Sequence, residues 1–502
     1  MKKTAILLLL LTLFTKVFGF LRELVLSYFY GTSYIADIFI IAMTVPLVIF
    51  KFVTAGTGNA IIPLYSSIEK EKGTRVADEF TSNLTNIVIL LSFVFTGLGI
   101  LLAGPIVKIF AAGFEGEVFE KAVFFVRVIF LSLFAVGYGS IFTGYLQVKG
   151  NFKVPGSISI FLNIVIISAI IISSKLGFIA LVVGVALANV FQYILYPFAV
   201  RKYGYRHKFF IDLKDPHIEE TLKIIVPMII GMAISDVNTI IDKTLASLVV
   251  SEGGVSSLNY AVKLYSFVAG LVVMSIGTVA YPEMSKAASE NDMEKVKKTI
   301  RTTITLSAIL VIPSIVAFLF FSNDVVRILF KRGMFTENDV TVVGGALFFY
   351  ALGLIGYSLI DTLSKAFYSL KDTKTPVKNT GLIVLLNVIF SVSLSKFMGL
   401  NGLALGTAIA SISGGISLSI LFSKKHGKIN FKLELVELVK ITLASIVMGI
   451  LTKIFFNFIQ GFLSYKLSFI IMILFAGLVY FTLLLILKVT EVVDLFNKVK
   501  KA

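Results

Sequence analysis

Apolar runs of about 20 residues recur from one end of the chain to the other, and each is long enough to cross a bilayer as a helix. In lipid a spanning segment must satisfy every backbone N–H and C=O internally, which leaves helices or closed barrels. Runs of this length are too long for barrel strands, so the expected fold is an all-α polytopic membrane protein. Composition agrees: 57% of the 502 residues are hydrophobic and 15% charged, where soluble domains run near a quarter charged. About 14 spans are expected, at 5–30, 34–66, 80–111, 119–148, 155–174, 178–200, 218–250, 255–284, 299–321, 339–370, 377–395, 401–422, 434–457 and 465–488. The opening "MKKTAILLLLLTLF" imitates a secretory leader. It lacks a small-residue cleavage site and its apolar run continues through 18–30, so it reads as the first span.

Charge sets the expected orientation. Alternate connections are basic: "EKEKGTR" (69–75), "KGNFK" (149–153), "RKYGYRHKFFIDLK" (201–214), "EKVKKTIR" (294–301), "KDTKTPVK" (371–378), "KKHGKINFK" (424–432) and "KVKKA" (498–502). The intervening connections are poor in Lys and Arg, so the positive-inside rule puts both termini in the cytoplasm. The same rule accounts for the net charge of +17 without a nucleic-acid partner. The exception is "SNDVVRILFKRGMFTEND" (322–339), basic yet predicted external, whose pattern suggests a short amphipathic interfacial helix.

The chain also repeats itself at an offset of about 220: "PLYSSIEKE" (63–71) matches "PEMSKAASE" (282–290), and "FLNIVIIS" (161–168) matches "LLNVIFSV" (385–392). Asn163 with Gly184 and Asn387 with Gly406 continue the pattern. The expected organisation is an N-terminal lobe at 1–215, a C-terminal lobe at 216–432, and an added helix pair with a cytoplasmic tail at 433–502. Six spans per lobe make the repeats parallel, an arrangement suited to alternating access around a site between lobes.

Several chemistries are excluded. There is no cysteine, hence no disulfide or thiolate site. No P-loop, H-E-x-x-H pair, Arg ladder or selectivity-filter motif occurs. A secondary transporter fits better than a pump, intramembrane enzyme or channel.

The informative residues are charges inside spans, where an ionised side chain costs about 2.5–3.5 kcal/mol unless it meets a partner or a wet cavity. Asp361 and Lys365, at i and i+4, can pair along one helix face. Arg22 and Glu23 are adjacent and point in different directions, so Glu23 is expected to seek a neighbouring span. Lys16, Lys51 and Lys263 have no acidic residue within four positions. Lys16 and Arg22 stand about 9 Å apart along the helix axis and can border one broad cavity. Converging cations would make a diphosphate site; structural pairing or snorkelling is the other reading. Asp236, Asn387, Ser391 and Thr407 form an oxygen-rich set suited to a coupling Na⁺ or proton, or simply to interhelical hydrogen bonding. Pro46, Gly56, Gly58 and Pro63 in span 2, and Gly270, Gly277 and Pro282 in span 8, are expected interruptions.

"TKVFGFLRELVLSYFYGTSYIADIFIIAMTVP", "LFKRGMFTENDV" and "FYSLKDTKTPVKN" together resemble the MurJ lipid II flippases of the multidrug/oligosaccharidyl-lipid/polysaccharide exporter superfamily. The resemblance covers nearly the whole chain. It implies two lobes around a cationic cavity, and transport of an undecaprenyl-diphosphate-linked glycan, lipid II, across the bacterial inner membrane for peptidoglycan synthesis. It implies a monomer among membrane lipids, with no cofactor beyond a coupling ion. The family's cavity arginines correspond to Lys16, Arg22 and Lys263, its span-2 arginine to Phe50 beside Lys51, and its early aspartate to Asp37. Lys therefore replaces Arg at 16 and 263, which keeps charge and loses the bidentate fork. A flippase for another polyprenyl-linked oligosaccharide and a drug exporter coupled to cations are the alternatives.

Overall fold

A computed structural model describes residues 2–430 and 432–493; the side chains of 2–10, 52, 55, 59, 224, 226–235 and 432–433 lie outside that description. The basic run at 498–502 lies outside the described residues. Every element is helical: α1 (Lys2–Tyr30), α2 (Tyr34–Lys72), α3 (Thr74–Leu101), α4 (Ala103–Phe110), α5 (Gly116–Phe130), α6 (Leu133–Val148), α7 (Lys153–Leu176), α8 (Phe178–Phe191), α9 (Tyr196–Lys202) and α10 (Pro216–Val249) come first. They are followed by α11 (Gly254–Val268), a π-helical turn at Ala269–Val273, α12 (Met274–Ser289), α13 (Met293–Phe330), α14 (Glu337–Ser369), α15 (Lys374–Met398), α16 (Leu400–His426), α17 (Lys432–Ile459) and α18 (Tyr465–Ile486). Among the described residues, 11 helices are long and apolar enough to span a membrane, or 12 when α5 and α6, bent by 44°, count as one. The long helices α1 and α10, whose apolar stretches include side chains outside the description, accompany them.

The chain forms two compact units, one of residues 1–256 with 332–336, the other of residues 257–331 with 337–502. In the first, α2 packs against α3, α5, α6 and α10, while α1 packs on α7. An aromatic core of Tyr65, Phe80, Phe142, Tyr145, Tyr196 and Tyr205 fills one end of this unit. Tyr65 and Tyr145 meet edge to face at 5.3 Å, an arrangement that favours the ring quadrupoles. The Tyr30 hydroxyl shares a hydrogen bond of 2.7 Å with Ser173 Oγ, tying α1 to α7. In the second unit α14 packs on α13 and α16, α15 on α16, and α17 on α13 and α18.

Glycine sets the closest approaches. A Cβ at Gly184 of α8 would run into Ala169 of α7, and one at Gly406 of α16 into Ser391 of α15. Lipid offers no hydrophobic drive between helices, so close backbone packing at small residues carries the association. Gly177 and Gly399 hold positive φ at the α7–α8 and α15–α16 turns, the same distance apart in sequence as Gly184 and Gly406.

Three expectations are refined. α2 runs unbroken across Pro46 and Pro63, and α12 across Pro282. The irregularity in the eighth span is the π-helical turn that includes Gly270. The basic segment 322–339 does not form one interfacial helix: Phe321 leaves helical geometry (φ −134°), a short helical stretch continues to Phe330, and α14 begins at Glu337.

The loop motif "KDTKTP" has a concrete role. Asp372 accepts hydrogen bonds from the Thr375 N–H (3.0 Å), the Thr375 hydroxyl (2.6 Å) and Lys425 Nζ (2.7 Å). Burial alone would raise its carboxyl, but Lys425 and Thr375 outweigh it and hold the group well below the usual carboxylate range. A depressed acid stabilises the fold above its unfolded value, near 4, and loses that contribution as pH falls through the folded value. Asp372→Asn should cost about 1 kcal/mol at pH 7 through loss of the charged partner of Lys425, and the gap in melting temperature from wild type in detergent should begin to narrow below about pH 4 and go on narrowing as pH falls further. A gap unchanged with pH would contradict this role.

Candidate anion site

The first unit carries three of the predicted cations, and each has a different environment. Lys16 on α1 is exposed and makes no hydrogen bond or ion pair among the described residues. One and a half turns later, Arg22 donates from Nη2 to Glu23 Oε1 at 2.6 Å. Adjacent residues on a helix leave it in different directions, yet the long arginine side chain folds back far enough to reach its neighbour. The expectation that Glu23 turns away from Arg22 is thereby corrected. Glu23 is 2% exposed, and Arg22 Nε is buried with no protein acceptor. A guanidinium so placed keeps unused donor capacity for a further anion.

Lys51 on α2 donates to both oxygens of Asp236 on α10, at 2.9 and 3.2 Å. Its partner is 185 residues away in sequence, beyond any reading of local spacing. The Lys51 side chain remains 38% exposed while Asp236 is 11% exposed. Pro46, Phe50, Thr54, Ser132 and Asn189 surround it at a cavity of about 30 Å³, room for a water or two. Phe50 itself is 1% exposed and packs edge to face on Phe95 at 5.7 Å. The charge of this segment therefore sits on Lys51, because position 50 belongs to the core.

Asp37 is fully buried in the first turn of α2. Its carboxylate accepts from the Gly253 N–H (2.7 Å) and the Ser256 N–H (2.6 Å). A carboxylate on free N–H groups at a helix start is both a cap and a dipole partner. Gly253 has φ +82° and no room for a Cβ against the Thr32 carbonyl, so this turn needs glycine. Asp37 thus holds backbone in place, a role the intramembrane charge alone did not reveal.

The second unit holds Lys263, half-buried on α11 and followed six residues later by the π-helical turn. π-turns within helices often mark functional positions. Asp361 and Lys365 pair along α14 at 2.7 Å as their spacing predicts. A Cβ at Gly277 of α12 would strike both charged ends, so the glycine lets α12 rest on the pair.

The oxygen-rich set divides in two. Asn387 Nδ2 donates to Thr407 Oγ1 at 2.9 Å, and Ser391 Oγ donates to Asn387 Oδ1 at 3.3 Å. Asp236 is occupied by the Lys51 ammonium. Amide and hydroxyl oxygens satisfied by each other, and a carboxylate already beside a cation, do not fit an added Na⁺.

Charged side chains paired on helices long and apolar enough to cross a membrane fit a membrane transporter. The fold is similar to a solved structure described as "Inward-facing conformation of a multidrug resistance MATE family transporter of the MOP superfamily" (TM-score 0.65, 15% identity, 82% of this chain and 94% of that one). It is closer to one described as "Lipid II flippase MurJ, inward closed conformation" (TM-score 0.82, 27% identity, 98% and 100%). The family model "Lipid II flippase MurJ" matches residues 26–475. The "Probable lipid II flippase MurJ" of Buchnera aphidicola subsp. Baizongia pistaciae is 31% identical over 417 residues, 82% of this chain and 81% of the relative. The "Lipid II flippase MurJ" of Burkholderia cenocepacia is 25% identical over 424 residues, 82% of each. The chain belongs to the lipid II flippase MurJ family.

Removing one partner of the Lys51–Asp236 pair leaves the other charge stranded. Lys51→Leu or Asp236→Leu should each cost about 1–2 kcal/mol in detergent unfolding, less than the 3–5 of a fully buried pair because Lys51 is partly solvated. The double Leu variant should recover most of that loss. Strict additivity of the two losses would show that the pair is not coupled.

Proposed function

We propose that this chain is a flippase carrying lipid II, or a closely related undecaprenyl-diphosphate glycan, from the cytoplasmic to the outer leaflet of the bacterial inner membrane for peptidoglycan synthesis. Family membership supports the transport reaction, and the chain is accordingly a transporter rather than an enzyme. The observation that carries the substrate chemistry is the pre-paired cation set. Arg22 and Lys51 are held at membrane depth by Glu23 and Asp236, and a diphosphate offers the same kind of oxygen in greater number. Binding exchanges carboxylate partners for phosphate oxygens, so neither cation is ever left desolvated and alone. Lys16, exposed on the same helix as Arg22, and Lys263 of the second unit are further cations proposed for the substrate. Asp37 positions the 253–256 turn and stays out of contact with substrate.

Both termini face the cytoplasm in this reading, supported by the alternation of basic connections. A monomer suffices. Membrane potential is the driving force, since moving a net charge through the field is worth about 2.3 kcal/mol per 100 mV. A drug exporter coupled to cations would need carboxylates open to a cation, whereas Glu23, Asp37 and Asp236 each serve a protein partner.

Charge-assisted hydrogen bonds are worth about 1.5–3 kcal/mol. Arg22→Ala in a reconstituted-vesicle flipping assay should therefore slow lipid II movement at least about tenfold, while Arg22→Lys should retain part of the rate. Full activity of Arg22→Ala would overturn the cation-site assignment.

A further inference from the structure

The connection 205–215 is not a loose loop. Asn86 of α3 donates to the carbonyls of Lys208 and Phe210, each at 2.8 Å. Asn83 exchanges hydrogen bonds with Asp212, donating to its carbonyl and accepting from its N–H, both at 2.8 Å. Ser82 Oγ accepts from the Lys208 N–H at 3.3 Å and bonds the Tyr205 hydroxyl at 2.9 Å. His207 bridges Tyr205 and Asn86 through its two ring nitrogens, at 3.1 and 2.9 Å. Burial lowers the affinity of this imidazole for a proton, and its two hydrogen bonds make it a strut between Tyr205 and α3.

That clamp fixes which side chains face outward. Phe209 is 92% exposed and Leu213 71%, with Arg206, Lys208 and Lys214 interleaved. Apolar side chains alternating with cations are the signature of a segment lying in the headgroup layer. Against the segment lies an open pocket of about 670 Å³ bordered by Arg201, Arg206, Tyr205 and Phe209. Beside it runs an apolar groove of about 570 Å³ lined by Ile89, Phe134, Phe191, Ile194 and Phe198. A pocket bordered by two arginines thus shares Tyr138, Pro197 and Arg201 with a mostly apolar groove.

The geometry points to a binding site for an anionic glycerophospholipid, with its phosphate between Arg201 and Arg206 and an acyl chain in the groove along α6, α8 and α9. The two-part shape selects an amphiphile over a free anion, and the paired arginines select a net negative headgroup over a zwitterionic one. The site involves none of the cations assigned to substrate, so it stands or falls apart from them.

Native mass spectrometry of the purified full chain in detergent, titrated with phosphatidylglycerol and phosphatidylcholine in parallel, tests this. Wild type should retain phosphatidylglycerol about tenfold better than phosphatidylcholine, on the scale expected for two basic side chains at an anionic headgroup. Arg201→Gln with Arg206→Gln should abolish the preference, while Phe198→Asp should weaken retention of both lipids. A preference unchanged in the double arginine variant overturns the proposal. Displacement of phosphatidylglycerol by millimolar inorganic phosphate would assign the pocket to a free anion and overturn it too. Salt at 0.5 M should erode the preference of wild type itself; a salt-independent preference contradicts the arginine contact whether or not the variants fold.

Discussion

A cation within a membrane-spanning helix must meet either water or a counter-charge, and much of this structure follows from the places where a counter-charge is supplied. Bringing a charge out of water costs several kcal/mol even after relaxation, so each ion pair limits where its helices can go. Lys51 draws α10 to α2 through Asp236. Asp361 and Lys365 neutralise each other along α14, and Gly277 of α12 is cut away to accommodate them. Asp37 spends its charge on backbone N–H groups at the start of α11. These carboxylates fix the helices and, in the proposed function, keep cations in place for a ligand of the same charge as themselves.

This dual role explains why the pairs are asymmetric. Glu23 and Asp236 are more deeply buried than Arg22 and Lys51. The acid anchors and the base is the more exposed partner, which in the proposed function leaves the cation open to a phosphate. Lysine at 16 and 263 in place of the arginines implied by the family resemblance fits point-charge attraction, whereas the one retained guanidinium, Arg22, keeps the donor geometry that oxygen recognition rewards.

The fold class was legible because spanning length and backbone satisfaction leave few options, whereas apolar runs placed the spans without showing that those expected at 80–111, 119–148 and 178–200 are each broken into two helices. The local pair Asp361–Lys365 was legible from i, i+4 spacing. Lys51–Asp236 was not, because nothing in a single sequence joins positions on α2 and α10. The Arg22–Glu23 contact was misjudged by treating side chains as short pointers normal to the helix, when a guanidinium can curl back. Asp37 was named through the family resemblance, and its backbone partners, the N–H groups of Gly253 and Ser256, lie more than 200 residues away where a single sequence cannot place them. The clamp on 205–215 was hidden behind a basic loop that orientation arguments had already explained.

The central claim is that this chain moves lipid II through a set of intramembrane cations. It is tested most directly by expressing the chain in a bacterium whose own lipid II flippase is depleted. The account predicts restored growth with wild type and lysis when Lys16, Arg22 and Lys263 are together replaced by Ala at equal membrane abundance. Lysis with wild type despite normal membrane insertion, or growth with the triple variant, would contradict it.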